Sequence, residues 1–351
     1  MYADPFGDAV VAPRATGTLG RVDRVRLTGI ALVVVSAFAF GSGGLFAQPV
    51  YDAGVDWLTL MAWRFGIAGS LAWLLLLTRP SARAALRRLS RPALLGAVGL
   101  GIFYLSNTAT YYAGIAVVPL SLAALIVYIY PPVVAVLALK LGRPLQGRRA
   151  WSALGIAVAG VVLAVGGIDA SAVPPIGGLL LVIVSPLFYS VWIILAARHS
   201  GERSDRTGHG SEDGADAAVT GAIMLSATGI AYWAINLAIG HPVLPSTIPA
   251  AAWPGILGVG VIAGFLAIQA FYAGAARVGA AQASLISTVE PLWTIVWAFL
   301  LFDERLAPVQ WVGGAMILAG VILAQTRGRT GTASRDEPPP LPLPAVHLSE
   351  E

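Results

Sequence analysis

One carboxyl sits deep in apolar sequence: Glu290, about eleven residues from either end of a hydrophobic stretch at 279–301. A charged carboxyl is costly in hydrocarbon, so such an acid is by default a functional candidate, as a proton carrier or as the partner of a substrate amine. The structural alternative is a hydrogen-bonded carboxyl that braces the kink at the next residue, Pro291. Arg64 lies about seven residues inside the stretch at 57–77, roughly 10 Å deep at a rise of about 1.5 Å per residue. It could snorkel outward, hold its helix against neighbours, or attract an anionic group. Tyr104, Asn107, Thr108 and Tyr111 lie at mid-depth in the stretch at 93–113, and Gln269 and Tyr272 in that at 254–275. Ser284, Ser287 and Thr288 precede Glu290. Hydroxyls in apolar helices mostly bond helix to helix or back to their own backbone. The larger amides of Asn107 and Gln269 favour a wet cavity, because they cost more to desolvate.

Other chemistries lack their residues. There is no cysteine, hence no disulfide, thiolate metal site or cysteine nucleophile. The four histidines, His199, His209, His241 and His347, all fall outside the apolar stretches, so neither a membrane-embedded metal nor a haem has ligands. No phosphate-binding loop follows any expected strand, so no nucleotide drives the protein and energy must come from gradients. An intramembrane enzyme would have to work with Glu290, Arg64 and hydroxyls alone. The expected class is therefore not an enzyme, with no cofactor, no metal and no nucleic-acid partner.

The elements that must position these residues follow from composition. The chain has 351 residues, 57% hydrophobic and only 11% charged, with a mean hydropathy of +0.77. A soluble domain carries about 25% charged residues. Apolar stretches occur at 27–48, 57–77, 93–113, 119–140, 150–167, 176–197, 218–240, 254–275, 279–301 and 308–326. Each approaches the roughly 20 residues a helix needs to cross a bilayer. The expectation is an all-α membrane protein with ten transmembrane helices. Basic residues collect in the N-tail, in every second connection (Arg79 to Arg91, Lys140 to Arg149, Arg198 to Arg206, Arg277) and in the C-tail. The alternate connections hold one, Arg305, beside Asp52, Asp56, Asp169, Asp303 and Glu304. This asymmetry predicts cytoplasmic termini in a multi-pass protein of the bacterial inner (plasma) membrane. Residues 1–26 read as a disordered cytoplasmic tail before an uncleaved helix, 199–217 as a disordered cytoplasmic linker, and 327–351 as a Pro-rich disordered C-tail.

Sliding the chain by 160 residues aligns Tyr112–Ala164 with Tyr272–Ala324 without a gap, about a third of positions being identical. Tyr112 meets Tyr272, Pro131 meets Pro291, Trp151 meets Trp311 and Gly160 meets Gly320. Five helices per half is odd, so the second half must enter the membrane in the opposite sense. The predicted domains are a first five-helix repeat at 27–167 and a second that starts at 168–198, with its first helix at 176–197, and resumes at 218–326. Paired Pro breaks in inverted repeats are the signature of secondary transporters, whose substrate binds near the midplane at the repeat interface. The register sets Tyr130 against Glu290, a phenol facing a carboxyl, which suits a polar, cationic or zwitterionic small molecule. Paired glycines (Gly155 with Gly160; Gly313, Gly314 with Gly320) predict close helix packing.

The stretch GAAQASLISTVEPLWTIVWAFLLFDERLAPVQWVGGAMILAGVILA, with Glu-Pro in mid-helix, an acidic-basic turn and a Gly-rich last helix, resembles the drug/metabolite transporter superfamily, in particular its EamA-type ten-helix exporters. PLSLAALIVYIYPPVVAVLALKLGRPL repeats it in the first half, and Arg64 matches an arginine often found in the second helix. The resemblance covers roughly 27–326. Two positions depart: Phe40-Gly41 stands where Trp-Gly is common, and Arg143-Pro144 replaces a Glu-Arg. What the resemblance implies is a secondary active transporter exporting a metabolite, an amino acid or a drug-like compound, in contact with lipid and compatible with a homodimer. A membrane-embedded regulatory protein that retains the transporter fold is the alternative.

Overall fold

The computed structural model describes residues 18–141, 147–166, 173–199, 217–278 and 286–325. The expected linker and C-tail lie almost wholly outside the described residues, as do Ser284 and Arg143-Pro144. Everything described is helix or short connection, with no strand among the described residues. In chain order the helices are α1 (Thr18–Asp52), α2 (Trp57–Thr78), α3 (Pro80–Arg87), α4 (Arg91–Ile115), α5 (Leu120–Val127), α6 (Tyr130–Leu141), α7 (Gly147–Gly166), α8 (Ile176–His199), α9 (Ala217–Ala238), α10 (Trp253–Leu257), α11 (Ala267–Val278), α12 (Glu290–Phe302) and α13 (Pro308–Gln325). A π-helical stretch, Gly258–Leu266, joins α10 to α11.

Among the described residues, six helical segments are long and apolar enough to cross a membrane: Arg26–Asp52, Trp57–Thr78, Arg91–Ile115, Ile176–Ala196, Ala218–Ala238 and Ala250–Phe271. Four shorter apolar ones, Leu120–Val134, Trp151–Ala164, Glu290–Phe302 and Pro308–Leu323, overlap the remaining stretches read from the sequence. Helix α1 begins at Thr18, ahead of the apolar stretch that starts at 27, with no proline between the two positions to interrupt it. The stretch at 119–140 divides into α5 and α6, since Pro131 and Pro132 cannot donate to the preceding turn.

Many large apolar side chains point outward, among them Leu95 and Ile230 at 70% exposure, while the interior holds an apolar core that includes Leu60, Met61, Phe65 and Tyr232 together with buried polar groups such as Ser36, Asn107 and Thr228. Such a surface suits lipid and would be an aggregation liability in water. Inside, α7 lies along α13, α2 along α9, α1 along α11, α4 along α8, and α5 against α12. The α7–α13 seam is close because it is built on glycine. A Cβ on Gly160 would come within 2.6 Å of the Gly313 carbonyl, and one on Gly320 within 2.7 Å of the Ala153 carbonyl. Shifting both members of the first contact by 160 gives the second. Gly155 departs from expectation, with open space around its Cβ position.

The acidic-basic turn after α12 has a mechanical role. Glu304 accepts hydrogen bonds from the amides of Leu120 (3.0 Å) and Ser121 (2.8 Å), capping α5 with a carboxylate from the other half of the chain. A carboxylate there satisfies orphan donors and complements the helix dipole. The matching first-half position is Pro144, which offers no such group.

Candidate functional site

A cavity of about 110 Å³ opens where the two helix breaks meet, lined by Phe40, Arg64, Tyr104, Asn107, Thr108, Tyr111, Tyr112, Val127, Tyr128, Tyr130, Tyr189 and Glu290. Seven residues singled out from the sequence therefore come together: Glu290, Tyr130, Arg64, Asn107, Thr108, Tyr104 and Tyr111. Of the other predicted residues whose side chains are described, Gln269 and Ser287 are not among the lining ones. Gln269 is half-buried on α11, which shows that mid-depth alone does not fix which face a residue occupies. Ser287 enters through its backbone. The side chains of Thr288 and Tyr272 lie outside the described ones.

The second break is built by Pro291. Proline has no N–H, so the carbonyl four residues back, that of Ser287, loses its α-helical partner. The chain tightens into a 3₁₀ turn at Ser287–Val289, where Glu290 N–H donates to the Ser287 carbonyl. The same carbonyl accepts from the Tyr128 hydroxyl at 2.7 Å. Tyr128 Oη also lies 2.9 Å from Glu290 Oε2. The phenol touching the carboxyl is thus Tyr128; Tyr130 lines the same cavity. α1 backs this break closely: a Cβ on Gly41 would come 3.0 Å from the Glu290 carbonyl and 2.9 Å from Thr294 Oγ1. Thr294 donates to the Gly41 carbonyl at 2.9 Å.

The first break, between α5 and α6, likewise carries i→i+3 bonds, from Tyr128 N to the Leu125 carbonyl (3.3 Å) and Ile129 N to the Ile126 carbonyl (3.1 Å). Ser190 on α8 donates to the Tyr130 carbonyl at 3.2 Å. Asn107 does two things at once: it faces the cavity, and its amide donates to the Ser185 carbonyl (3.1 Å) and hydroxyl (3.0 Å) on α8. Thr108 pairs with the Tyr232 hydroxyl at 2.8 Å.

Arg64 is 5% exposed. Its guanidinium carbon stands 4.7 Å from the Tyr112 ring centroid and 5.2 Å from that of Phe65, in cation–π range. Its Nε has no hydrogen-bond partner among the described residues. Neither Arg64 nor Glu290 is in an ion pair among the described residues. A cationic and an acidic group therefore face one small space ringed by tyrosines, without neutralising each other directly. Tyr128, Tyr112 and Tyr189 were not chosen from sequence. Only their aromatic type and proximity to other picked residues could have marked them.

Apolar helices, a lipid-suited exterior and an internal polar cavity at paired helix breaks define a multi-pass membrane transporter. The EamA-like transporter family model matches residues 27–166 and again 176–326, and the chain belongs to that family, within the drug/metabolite transporter superfamily. An "Uncharacterized transporter" of Archaeoglobus fulgidus is 27% identical over 306 residues, spanning 84% of this chain and 96% of that protein. A crystal structure of a protein at 18% identity superposes with a TM-score of 0.54, covering 86% of this chain and 97% of its own; the likeness is one of fold. Family and relative alike point to transport of a small molecule across a bilayer, not to enzymatic turnover.

Proposed function

We propose that this protein is a secondary active carrier that exports a small polar metabolite, an amino acid or drug-like compound, by alternating access across a bacterial inner membrane. Proton binding at Glu290 is the coupling step. The observation that carries this reading is the arrangement of Glu290 and Arg64 around one cavity without contact between them. Arg64 would receive an anionic group of the substrate, while Glu290 and the tyrosine faces would receive a cationic one.

Hydrogen-bond accounting gives the coupling a mechanism. Tyr128 has one hydroxyl hydrogen and two oxygen neighbours, the Ser287 carbonyl and Glu290 Oε2. With Glu290 protonated, the carboxyl donates to the phenol and the phenol to the carbonyl, so each oxygen has a partner. With Glu290 ionised, carboxylate and carbonyl compete for one hydrogen. Loss of the proton thus loosens the tie between the two breaks, and a substrate ammonium arriving at Glu290 replaces what was lost.

In this reading ten helices span the membrane as two inverted five-helix repeats, over 27–167 and 168–326, with both termini and the linker at 199–217 cytoplasmic. The lopsided arginines support that orientation. The exchange of contacts in the α7–α13 seam supports the repeat, as does the pairing of α1 with α11 and α4 with α8.

The test is flux of labelled amino acids and cationic dyes in proteoliposomes with and without an imposed pH gradient. Glu290→Gln, reconstituted at equal density, is expected to lower gradient-driven flux roughly a hundredfold, matching about 3 kcal/mol for a charge-assisted contact. Equal flux and equal pH dependence in the variant would remove Glu290 from the mechanism.

A further inference from the structure

The end of the molecule that carries the α2–α4 connection combines two features the transport cavity does not use. Arg79, Arg83, Arg87, Arg88 and Arg91 are all exposed. None is in an ion pair among the described residues, and the sequence holds no Asp or Glu from 57 to 168. Directly beside them runs a groove of about 460 Å³ between α4 and α9, roofed by α3 and walled by Leu86, Leu94, Val98, Ile102, Ile223 and Ile230. Its surface is almost wholly apolar.

Register joins the two features. On α4, positions 91, 94, 98 and 102 are spaced by three and four and form one stripe, so Arg91 heads a row of Leu94, Val98 and Ile102. On α3, Arg83 and Leu86 share a face by the same spacing. From Arg91 to Ile102 the stripe runs about 16 Å at 1.5 Å per residue, roughly half of a 30 Å hydrocarbon core. A groove of that length matches the depth of one leaflet.

We propose that this groove is a binding site for an anionic phospholipid, the phosphate held by Arg83, Arg87, Arg88 and Arg91 and one acyl chain laid along α4 and α9. Positive charge above and an apolar channel of one leaflet's depth below match that molecule at both ends. Basic pockets between membrane helices are a recognised setting for anionic headgroups. A free anion would use only the arginines, and a second copy of the chain only the groove. The site is separate from the transport cavity and stands independently of the transport cycle proposed above.

The experiment is native mass spectrometry of the detergent-solubilised full chain titrated with phosphatidylglycerol and, separately, phosphatidylcholine, with thermal unfolding followed in parallel. The expected result is retention of one phosphatidylglycerol at least about tenfold tighter than phosphatidylcholine and a rise in Tm with the anionic lipid alone. The triple variant Arg87→Gln, Arg88→Gln, Arg91→Gln should lose that preference. Val98→Trp, which fills the groove and leaves every arginine in place, should lose retention of both lipids. Both variants must elute as monodisperse protein for the comparison to stand, and Arg91→Lys, which keeps the charge, should retain the preference. Equal retention of the two lipids, an unchanged preference in the triple variant, or displacement by inorganic phosphate alone would overturn the proposal. So would efficient disulfide capture between copies through Ile102→Cys, a clean probe in a chain without cysteine, because it would give the groove to a second molecule.

Discussion

The two helix breaks occupy equivalent places 160 residues apart, and they differ in what they present. At the first, α8 reaches in and Ser190 donates to the Tyr130 carbonyl. At the second, α1 approaches so closely that only a glycine, Gly41, leaves room beside the Glu290 carbonyl. The backbone solution is shared: a proline, a tightened turn, and a brace from the first helix of the other half. The chemistry is not shared, for one break offers phenols and the other a carboxyl. In the alternating-access reading proposed above, a shared hinge with different side chains would give two similar moving parts around a chemically one-sided site, and the positions at which the halves disagree would set the function.

The brace of the second break is the place to break this comparison hardest. Gly41→Leu would drive its side chain into Thr294 and the Glu290 carbonyl, forcing α1 away from α12. Overpacking costs roughly 1–3 kcal/mol and occasionally more, and backbone atoms on the receiving side leave little room to yield. The expected outcome is a large loss of folded protein, read by fluorescence-detected size exclusion, with Gly41→Ala milder. A Leu variant as stable as wild type would mean that α1 does not clasp the second break.

Much of this was legible in the sequence, and the limits have physical causes. Hydropathy located the apolar stretches because bilayer thickness fixes helix length. Glu290 stood out because a lone acid in an apolar stretch is expensive, and Tyr130 followed from the register of the repeat. Tyr128 did not follow. Register aligns it with Thr288, and its contact with Glu290 arises because the chain leaves α-helical geometry at that residue, with ψ near 8°, an angle no repeat alignment encodes. Gln269 is not among the residues that line the cavity; the face it occupies depends on how α11 emerges from the π-helical stretch before it, which a period of 3.6 does not describe. Glu304 was read as part of a turn, yet its partners, Leu120 and Ser121, lie more than 180 residues away.

Tyr128 tests whether the two breaks act as one unit. Tyr128→Phe keeps the ring and removes the hydroxyl that reaches both the Ser287 carbonyl and Glu290. Transport should fall roughly tenfold, matching about 1.5 kcal/mol for a buried hydrogen bond, and the pH profile should shift because the proton on Glu290 loses its acceptor. Tyr130→Phe, two residues along, should leave the pH profile in place. If both variants behave alike, the tyrosines act as an aromatic lining and the tie between the breaks has no part in coupling.

The smallest effect belongs to the first break. Ser190→Ala removes one hydroxyl that bonds the Tyr130 carbonyl at 3.2 Å and, at 2.6 Å, the Pro186 carbonyl of its own helix. Because the second bond is local, the net loss should be near the ordinary value for a hydrogen bond, about 1 kcal/mol. That predicts a Tm lower by a few degrees, with transport and its pH profile kept. A transport defect as deep as that of Tyr128→Phe would mean that the first break moves in the cycle as much as the second. The difference between the halves would then lie in the side chains alone, and the braces of both breaks would share the mechanical load.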